Sequence, residues 1–247
     1  MRVGFFVTCL VDLMRPSIAF AAIKLLESGG AQVFVPPTQT CCGQPGYNSG
    51  DRAGARALAA KVVAEFEACD YLVAPSGSCS GMIKTHYAEL FRDDPALSAR
   101  AEALARKSYE LTDFLVEVLK LDRVPGSFPG SATYHDCCAG LREMGVKGQP
   151  RALLAKVPGL KLAEMADCES CCGFGGTFSL KYGEISARMA DNKCRQIEET
   201  GADAVVLGDL GCILNIEGRL RRRGDTRTRV LHVAEVLAGK TPEAGRG

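Results

Sequence analysis

The stretch Cys41-Cys42-Gly43 recurs as Cys171-Cys172-Gly173, at an offset of 130 positions. Single cysteines flank both stretches in the same order: Cys9 and Cys79 around the first, Cys138 and Cys212 around the second. Four cysteines that recur in order at nearly constant spacing indicate an internal duplication. We therefore divide the chain into two halves, residues 1–121 and 131–247, joined by a linker over residues 122–130 that is rich in Pro and Gly.

Apolar runs typical of strands alternate with helical patterns in both halves. The predicted strands cover residues 3–8, 32–35, 71–74, 132–135, 161–165 and 204–207. Helices are predicted from about Pro16, over 51–68, from about Met82, over 151–157 and over 185–200, and an apolar helical run closes each half at 111–115 and 231–235. This order predicts an α/β fold of two Rossmann-like βαβ halves with parallel sheets. The repeated cysteines then lie in loops at the C-terminal strand ends, where such sheets bind ligands.

Composition narrows the class of protein. The chain has 247 residues, of which 47% are hydrophobic and 24% are charged, so it is expected to fold as a globular protein. A net charge of +1 offers no bulk field for nucleic acid or an anionic membrane. No apolar stretch reaches the roughly 20 residues of a membrane-spanning helix, and we expect a cytoplasmic protein. Twelve cysteines in a reducing compartment favour metal, cluster or thiol chemistry over disulfides.

The spacing of the eight repeated cysteines favours an iron–sulfur site in each half. Iron–sulfur clusters are held by several cysteine thiolates, and an adjacent cysteine pair is better placed to span two metal atoms than to chelate one. Structural zinc sites prefer two cysteines separated by two to four residues. One such pair exists, Cys168 and Cys171, so zinc bound there with Cys138 and His135 stays an alternative, as does a redox thiol protein.

These motifs resemble the cysteine-rich (CCG) domain family, which includes the B-type component of heterodisulfide reductase and the iron–sulfur subunits of glycolate oxidase and anaerobic glycerol-3-phosphate dehydrogenase. Within it, the chain is most similar to the short, stand-alone lactate utilization A type. The segments that carry this similarity are residues 2–9, 75–79, 134–136, 171–178 and 208–212. The resemblance implies an electron-transfer subunit of an L-lactate-oxidising complex that works with a B-type partner, which carries ferredoxin-like clusters, and a C-type partner.

The resemblance also implies two [4Fe-4S] clusters, cubane or non-cubane. The implied ligands are Cys9, Cys41, Cys42 and Cys79 for one, and Cys138, Cys171, Cys172 and Cys212 for the other. Relatives with non-cubane clusters supply the last cysteine from a C-x-x-C pair, whereas this chain has Ser76 and Asp209 at the first position of those pairs. A glycolate or glycerol-3-phosphate oxidase subunit is the alternative within the family, although the ferredoxin segment usual there is absent from this sequence.

Several further residues are candidates for a site. His135 and Asp136 precede the cysteine of the second half and are the candidate catalytic residues, with a purely structural pair as the alternative. Basic residues that could hold a carboxylate substrate are Arg15, Arg142 and Lys181. Cys137 could compete with Cys138 for the ligand role, but the spacing to Cys171 favours Cys138, and strand alternation predicts that Cys137 points the other way. Cys69 and Cys194, on apolar helix faces, are expected to be core thiols.

Overall fold

The computed structural model describes residues 1–241, and the predicted end of the second half, residues 242–247, lies outside them. Each half contains one four-stranded sheet in which every pair of neighbouring strands is parallel. The first sheet has the order β2-β1-β3-β4 and the second the order β6-β5-β7-β8. The strands are β1 (Arg2–Phe5), β2 (Gln32–Phe34), β3 (Tyr71–Ala74), β4 (Ser108–Glu110), β5 (Gly130–His135), β6 (Leu160–Leu162), β7 (Ala204–Leu207) and β8 (Arg229–His232). The predicted fold class is confirmed.

Helices connect the strands and cover the sheets. In the first half they are α1 (Cys9–Met14), α2 (Ser17–Ser28), α3 (Gln44–Ser49), α4 (Arg52–Phe66), α5 (Gly77–Gly81), α6 (Tyr87–Leu90), α7 (Pro95–Arg106) and α8 (Leu111–Asp113). Two π-helical segments, Met82–His86 and Phe114–Val118, extend α5 and α8. In the second half they are α9 (Cys138–Met144), α10 (Gly148–Leu154), α11 (Phe178–Lys181), α12 (Gly183–Glu199), α13 (Leu210–Arg222) and α14 (Val233–Ala238). None of these helices has the length and apolar character required to cross a bilayer.

The order and register place the carboxyl ends of equivalent strands side by side. β1 is central in its sheet and pairs Val3 with Val33 of β2 and with Tyr71 of β3. β5 is central in the second sheet and pairs Ala132 with Leu162 and with Ala204. The segments that follow three neighbouring strands therefore converge at one edge of each sheet.

The helices α4 and α12 occupy equivalent positions and bury equivalent faces. The buried residues of α4 are Ala55, Ala59, Val62, Val63 and Phe66, and those of α12 are Ser186, Ala190, Lys193, Cys194 and Ile197. Each of the second set lies 131 positions after its counterpart. The duplication thus extends to packing, with one difference in kind, because Lys193 is buried where the first half has Val62.

Several predicted elements needed correction. Cys79 and Cys212 lie in the first turns of α5 and α13, not in loops, because Ser76 and Asp209 cap those helices with their side chains immediately after the strands. Residues 231–232 end β8 instead of opening a helix. The short strands β4 and β8 and the helix α1 were not predicted, since elements of three to six residues carry too little periodicity to be recognised.

The two halves pack directly against each other. α2 of the first half lies on α14 of the second, and α5 lies on α9. Arg15 forms a bidentate ion pair with the buried Glu235. Its Nε lies 3.0 Å from Oε1 and its Nη2 lies 2.7 Å from Oε2. Gly77 and Gly140 bring the backbones of α5 and α9 into contact, since a Cβ added to Gly77 would lie 2.5 Å from the Gly140 Cα.

Candidate metal centres

Three segments of the first half bring four cysteines together, and we call these four the first thiol group. Cys9 begins α1 after β1, Cys41 and Cys42 follow β2, and Cys79 lies in α5 after β3. Cys41 forms thiol hydrogen bonds with both Cys9 and Cys42. The Cys42 Sγ also lies 3.5 Å from the Cys79 Sγ. The four sulfurs therefore form one continuous series of contacts.

The first thiol group is organised around a thiolate at Cys41. Hydrogen bonds from the Cys42 and Cys9 thiols lower the pKa of Cys41 to about 3. The Gly43 N–H adds a third donor at 3.4 Å from the Cys41 Sγ. Gly43 has a φ of 85° and lies against the Ala55 carbonyl, a conformation and a space that favour glycine. The same hydrogen bonds raise the pKa values of Cys9 and Cys42, which share their protons with Cys41.

The second half repeats this arrangement with Cys138, Cys171, Cys172 and Cys212, which we call the second thiol group. Hydrogen bonds from the Cys138 and Cys172 thiols lower the pKa of Cys171 to about 2. The Gly173 N–H lies 3.4 Å from the Cys171 Sγ. Cys172 is in hydrogen-bond contact with Cys212 as well as with Cys171. Each half therefore holds one stabilised thiolate at the first cysteine of its adjacent pair.

A fifth thiol belongs with this second group, contrary to the expectation from strand alternation. The Cys137 thiol forms a hydrogen bond with the buried Cys212, and this contact is the main cause of the raised pKa of Cys212. Alternation failed here because β5 ends at His135, and the chain has already turned at Cys137 before α9 begins. The remaining unexplained cysteine, Cys168, instead hydrogen-bonds the Asp136 carboxylate. In the zinc set that the sequence suggested, Cys168 is thus paired with a carboxylate.

His135 faces the second thiol group from the end of β5. One of its ring nitrogens and the Sγ atoms of Cys172 and Cys212 all lie within 4.8 Å of one another, and all three residues are buried. Burial, followed by the charge of Lys193, lowers the pKa of His135 to about 4. Asp136 points elsewhere, since Arg151 donates to its two carboxylate oxygens at 2.8 and 3.0 Å.

Ser76 and Asp209 contact each other across the interface between the halves. Asp209 Oδ2 accepts hydrogen bonds from the Ser76 hydroxyl at 2.8 Å, from the Ser78 hydroxyl at 2.7 Å and from the Ser78 N–H at 3.3 Å. Both Ser76 and Asp209 are buried. The two positions at which this chain departs from the C-x-x-C pattern thus form a polar link between the halves, next to both thiol groups.

A cleft of about 260 Å³ opens between the halves beside the second thiol group. Its walls combine Gln44, Ser78 and His86 of the first half with Arg142, Cys137 and the four cysteines of the second thiol group. Arg142 is exposed and makes no hydrogen bond or ion pair within residues 1–241. Arg15, by contrast, is occupied by its ion pair with Glu235. Lys181 ends the short helix α11 and is exposed.

Sequence interpretation set Cys137 aside in favour of Cys138 and did not identify the buried amine of Lys193. Lys193 is fully buried, and its Nζ donates to the Asp167 carbonyl at 2.8 Å. A comparison of the two helical patterns would have shown that Lys193 occupies the buried position held by Val62 in the first half. Cys69 and Cys194 are buried, as predicted for core thiols.

Two groups of contacting free thiols, each with one stabilised thiolate, are typical of sites for thiophilic metal ions or metal–sulfur clusters. The His135 imidazole, which faces the second group, adds a nitrogen donor, and both iron and zinc accept such a ligand. The donor sets therefore fit the cofactor class expected from the cysteine spacing.

Comparison with known proteins agrees with this geometry. Residues 3–84 and 132–217 each match the CCG cysteine-rich domain family. The chain is 48% identical over 237 residues to lactate utilization protein A of Geobacillus kaustophilus (strain HTA426), a match that covers 96% of this chain and 98% of that protein. It is 45% identical over 241 residues to lactate utilization protein A of Bacillus cytotoxicus, with 98% and 100% covered.

Among solved structures, a hypothetical protein from Helicobacter pylori shares the fold with a TM-score of 0.69 at 14% sequence identity. That match covers 98% of this chain and 49% of the other protein, so this chain spans about half its length.

Proposed function

The chain belongs to the CCG cysteine-rich domain family, in its lactate utilization protein A group, and from that premise we propose that it is an iron–sulfur, electron-transferring subunit of an L-lactate-oxidising system. The observation that carries the proposal is the paired groups of contacting free thiols at equivalent strand ends, in each of which a glycine N–H donates to the first cysteine of the CCG motif. We assign one [4Fe-4S] cluster, cubane or non-cubane, to each group. The proposed ligands are Cys9, Cys41, Cys42 and Cys79, and Cys138, Cys171, Cys172 and Cys212.

A cluster in each group would supply reversible one-electron transfer, and the surrounding residues prepare the chain for it. Cys41 and Cys171 offer thiolates at neutral pH, so little proton release is required before a metal binds. The N–H groups of Gly43 and Gly173 donate to those sulfurs, and such donors raise the potential of a bound cluster. The contact between Gly77 and Gly140 keeps the two groups on adjoining surfaces of the halves.

The cleft between the halves supports a place for a small anionic substrate or product. Arg142 contributes a guanidinium without a competing partner within residues 1–241, and a guanidinium pairs with a carboxylate through two hydrogen bonds. His135 and Asp136 are the residues proposed for proton handling, through the imidazole nitrogen that does not face the thiols and through the carboxylate held by Arg151. We propose that B-type and C-type partners complete the lactate-oxidising unit and that the assembly works in the cytoplasm, where free thiols persist.

Anaerobic reconstitution of the full chain with iron and sulfide provides the first test. The expected result is two [4Fe-4S] clusters per chain, measured as bound iron and acid-labile sulfide together with an iron–sulfur EPR spectrum on reduction. A colourless protein that binds stoichiometric zinc and no sulfide under the same conditions would contradict the proposal and favour a metal or thiol scaffold.

The second test concerns the substrate. The chain is mixed with its B-type and C-type partners under argon, and absorbance bleaching is followed after addition of L-lactate, glycolate or glycerol 3-phosphate. We expect reduction by L-lactate alone, and only with the partners present. Reduction by glycolate or glycerol 3-phosphate in place of L-lactate would assign the chain to the alternative branch of the family.

A further inference from the structure

His135 is fully buried, and neither of its ring nitrogens makes a well-aligned hydrogen bond within residues 1–241. The Cys168 carbonyl is close enough to act on the ring as an acceptor, which accounts for one nitrogen at most. Buried polar groups in native proteins are nearly always hydrogen-bonded, so the other nitrogen requires an explanation. The surroundings of the ring provide one.

One side of the His135 imidazole faces cysteine sulfurs of the second thiol group. A ring nitrogen of His135 and the Sγ atoms of Cys172 and Cys212 all lie within 4.8 Å of one another. The Cys137 thiol adds a contact to Cys212 from the same strand end. The buried side of the second thiol group therefore presents one nitrogen and three sulfur donors, whereas Cys138 and Cys171 lie on its half-exposed side.

The first thiol group lacks both extra donors. At the equivalent offset, Phe6 stands in place of His135 and Thr8 in place of Cys137. Thr8 adopts a φ of 70°, whereas Cys137 has a φ of −64°. The Thr8 side chain accepts from the Val11 N–H at the start of α1, so it is committed to capping that helix. The additional donors are thus a property of the second half alone.

We propose that His135 and Cys137 are ligands of the metal centre in the second thiol group, which makes it a mixed nitrogen and sulfur site unlike the all-thiolate first group. This inference rests on the proposed function, since it concerns the cluster assigned to that group. A neutral imidazole in place of an anionic thiolate raises the reduction potential of an iron–sulfur centre. The Cys137 thiolate has the opposite effect, so the ligand sets of the two centres differ without fixing which centre is reduced first.

The test uses the full chain, labelled with ¹⁵N-histidine, reconstituted anaerobically with iron and sulfide and reduced for pulsed EPR. The chain contains three histidines, so a nitrogen coupling that changes between ¹⁴N and ¹⁵N protein identifies histidine ligation before any substitution is made. We expect such a coupling on one of the two clusters. His135→Phe, which introduces the residue of the first half, is expected to abolish it, and His86→Phe, in the wall of the cleft, is the matched control that keeps it.

Cys137 is tested separately. Cys137→Ala is expected to shift the EPR spectrum of the cluster that shows histidine coupling and to leave the other spectrum unchanged, whereas Cys194→Ala, at a core thiol outside both groups, changes neither. Clusters that form in the wild-type chain without any histidine coupling would overturn the inference and leave the proposed function intact. Failure of the wild-type chain to bind any cluster would instead count against the proposed function.

Discussion

The first and second thiol groups use the same backbone positions but are set in different surroundings. In both, a glycine N–H and two thiols stabilise the first cysteine of the CCG motif as a thiolate. Around the first group the equivalent positions hold Phe6 and Val62, which are apolar. Around the second they hold His135 and Lys193, both fully buried. The duplication has kept the four cysteines and the glycine of each group and changed the residues packed around them.

This difference shows which features a metal–thiol site requires and which it can vary. The thiolate and its donors come from local geometry, namely a strand end, a cysteine pair and a glycine with positive φ, and both halves reproduce them. The charge and polarity around the thiols come from neighbouring helices and strand ends, where one substitution changes the electrostatics without altering the fold. Two sites of similar construction can therefore have unequal properties in one chain.

The largest expected effect comes from removing either central thiolate. Cys41→Ala and Cys171→Ala are each expected to lose about half of the iron and sulfide bound by the wild-type chain, because each removes a ligand from one of two independent clusters. Bound iron per chain after anaerobic reconstitution measures this. Cys69→Ala, at a core thiol, is the control. Loss of all iron in either variant would show that the two groups form one centre instead of two.

The link between the halves should depend more on Asp209 than on Ser76. Asp209→Ala removes the acceptor of four hydrogen bonds, three in the link and one that caps α13, and leaves buried donors unpaired, at a cost of about 4 kcal/mol in the free energy of unfolding. Ser76→Ala removes one donor to the link and the N-cap acceptor of the Cys79 N–H, while Ser78 keeps its two bonds, and it should cost about 2 kcal/mol. Urea denaturation of the cluster-free chain measures both. Equal losses would mean that the Ser76 hydroxyl is indispensable to the link.

Glu110 and His232 cap α8 and α14 at equivalent strand ends. The Glu110 carboxyl should make the free energy of unfolding depend on pH. Burial raises the pKa of Glu110 to about 7, above its ordinary value near 4.5. The native state therefore holds a proton between these values that the unfolded state has released, so stability decreases as pH rises from about 4.5 to 7. Above pH 7 the native carboxyl is also ionised, and this loss is complete.

Glu110→Gln should remove that pH dependence while keeping an oxygen for the cap. The difference in unfolding free energy between wild type and variant is expected to change by about 3 kcal/mol between pH 4.5 and pH 8, in favour of the variant at the higher pH. Taking the difference cancels the titration of the thiols, which both chains share. A constant difference across this range would show that Glu110 is ionised in the native state throughout.

The contact between α5 and α9 should tolerate a methyl group on one side only. A Cβ on Gly77 would lie 2.5 Å from the Gly140 Cα, whereas a Cβ on Gly140 would lie at an ordinary 3.7 Å from the Gly77 Cα. Gly77→Ala is therefore expected to be about 2 kcal/mol less stable than Gly140→Ala, because the backbones must move apart. Thermal or urea unfolding checks this. Similar stabilities would indicate that the halves separate at little cost.

The smallest effect concerns the charge near the second group. Lys193→Met keeps the length of the side chain and removes a cation, so the second cluster should become harder to reduce, because a nearby cation stabilises the electron that reduction adds. Redox titration followed by EPR measures it. Val62→Met, at the equivalent position, is the control and should leave the first cluster unchanged. A shift of equal size in both variants would point to packing instead of charge.

The sequence predicted the repeat, the parallel α/β class and the strands at residues 71–74 and 204–207, because strong apolar runs and cysteine order are local signals. It also predicted that the repeated cysteines follow strand ends. It did not predict β4 and β8, which have three and four residues and lie at sheet edges, where their partners in space matter more than their own pattern.

The amino-acid sequence by itself determined that the repeated thiols follow strand ends. Because parallel connections bring those ends to one edge of a sheet, it also determined that the thiols of each half meet there. Only the tertiary structure decided where side chains beyond those ends point. Cys137 turns toward Cys212 and Thr8 toward the start of α1 because their φ angles differ in sign, which the alternation of a strand does not specify once the strand has ended. Likewise, Ser76 and Asp209 contact each other across 133 positions of chain, because the packing of the halves, a long-range event, creates that contact.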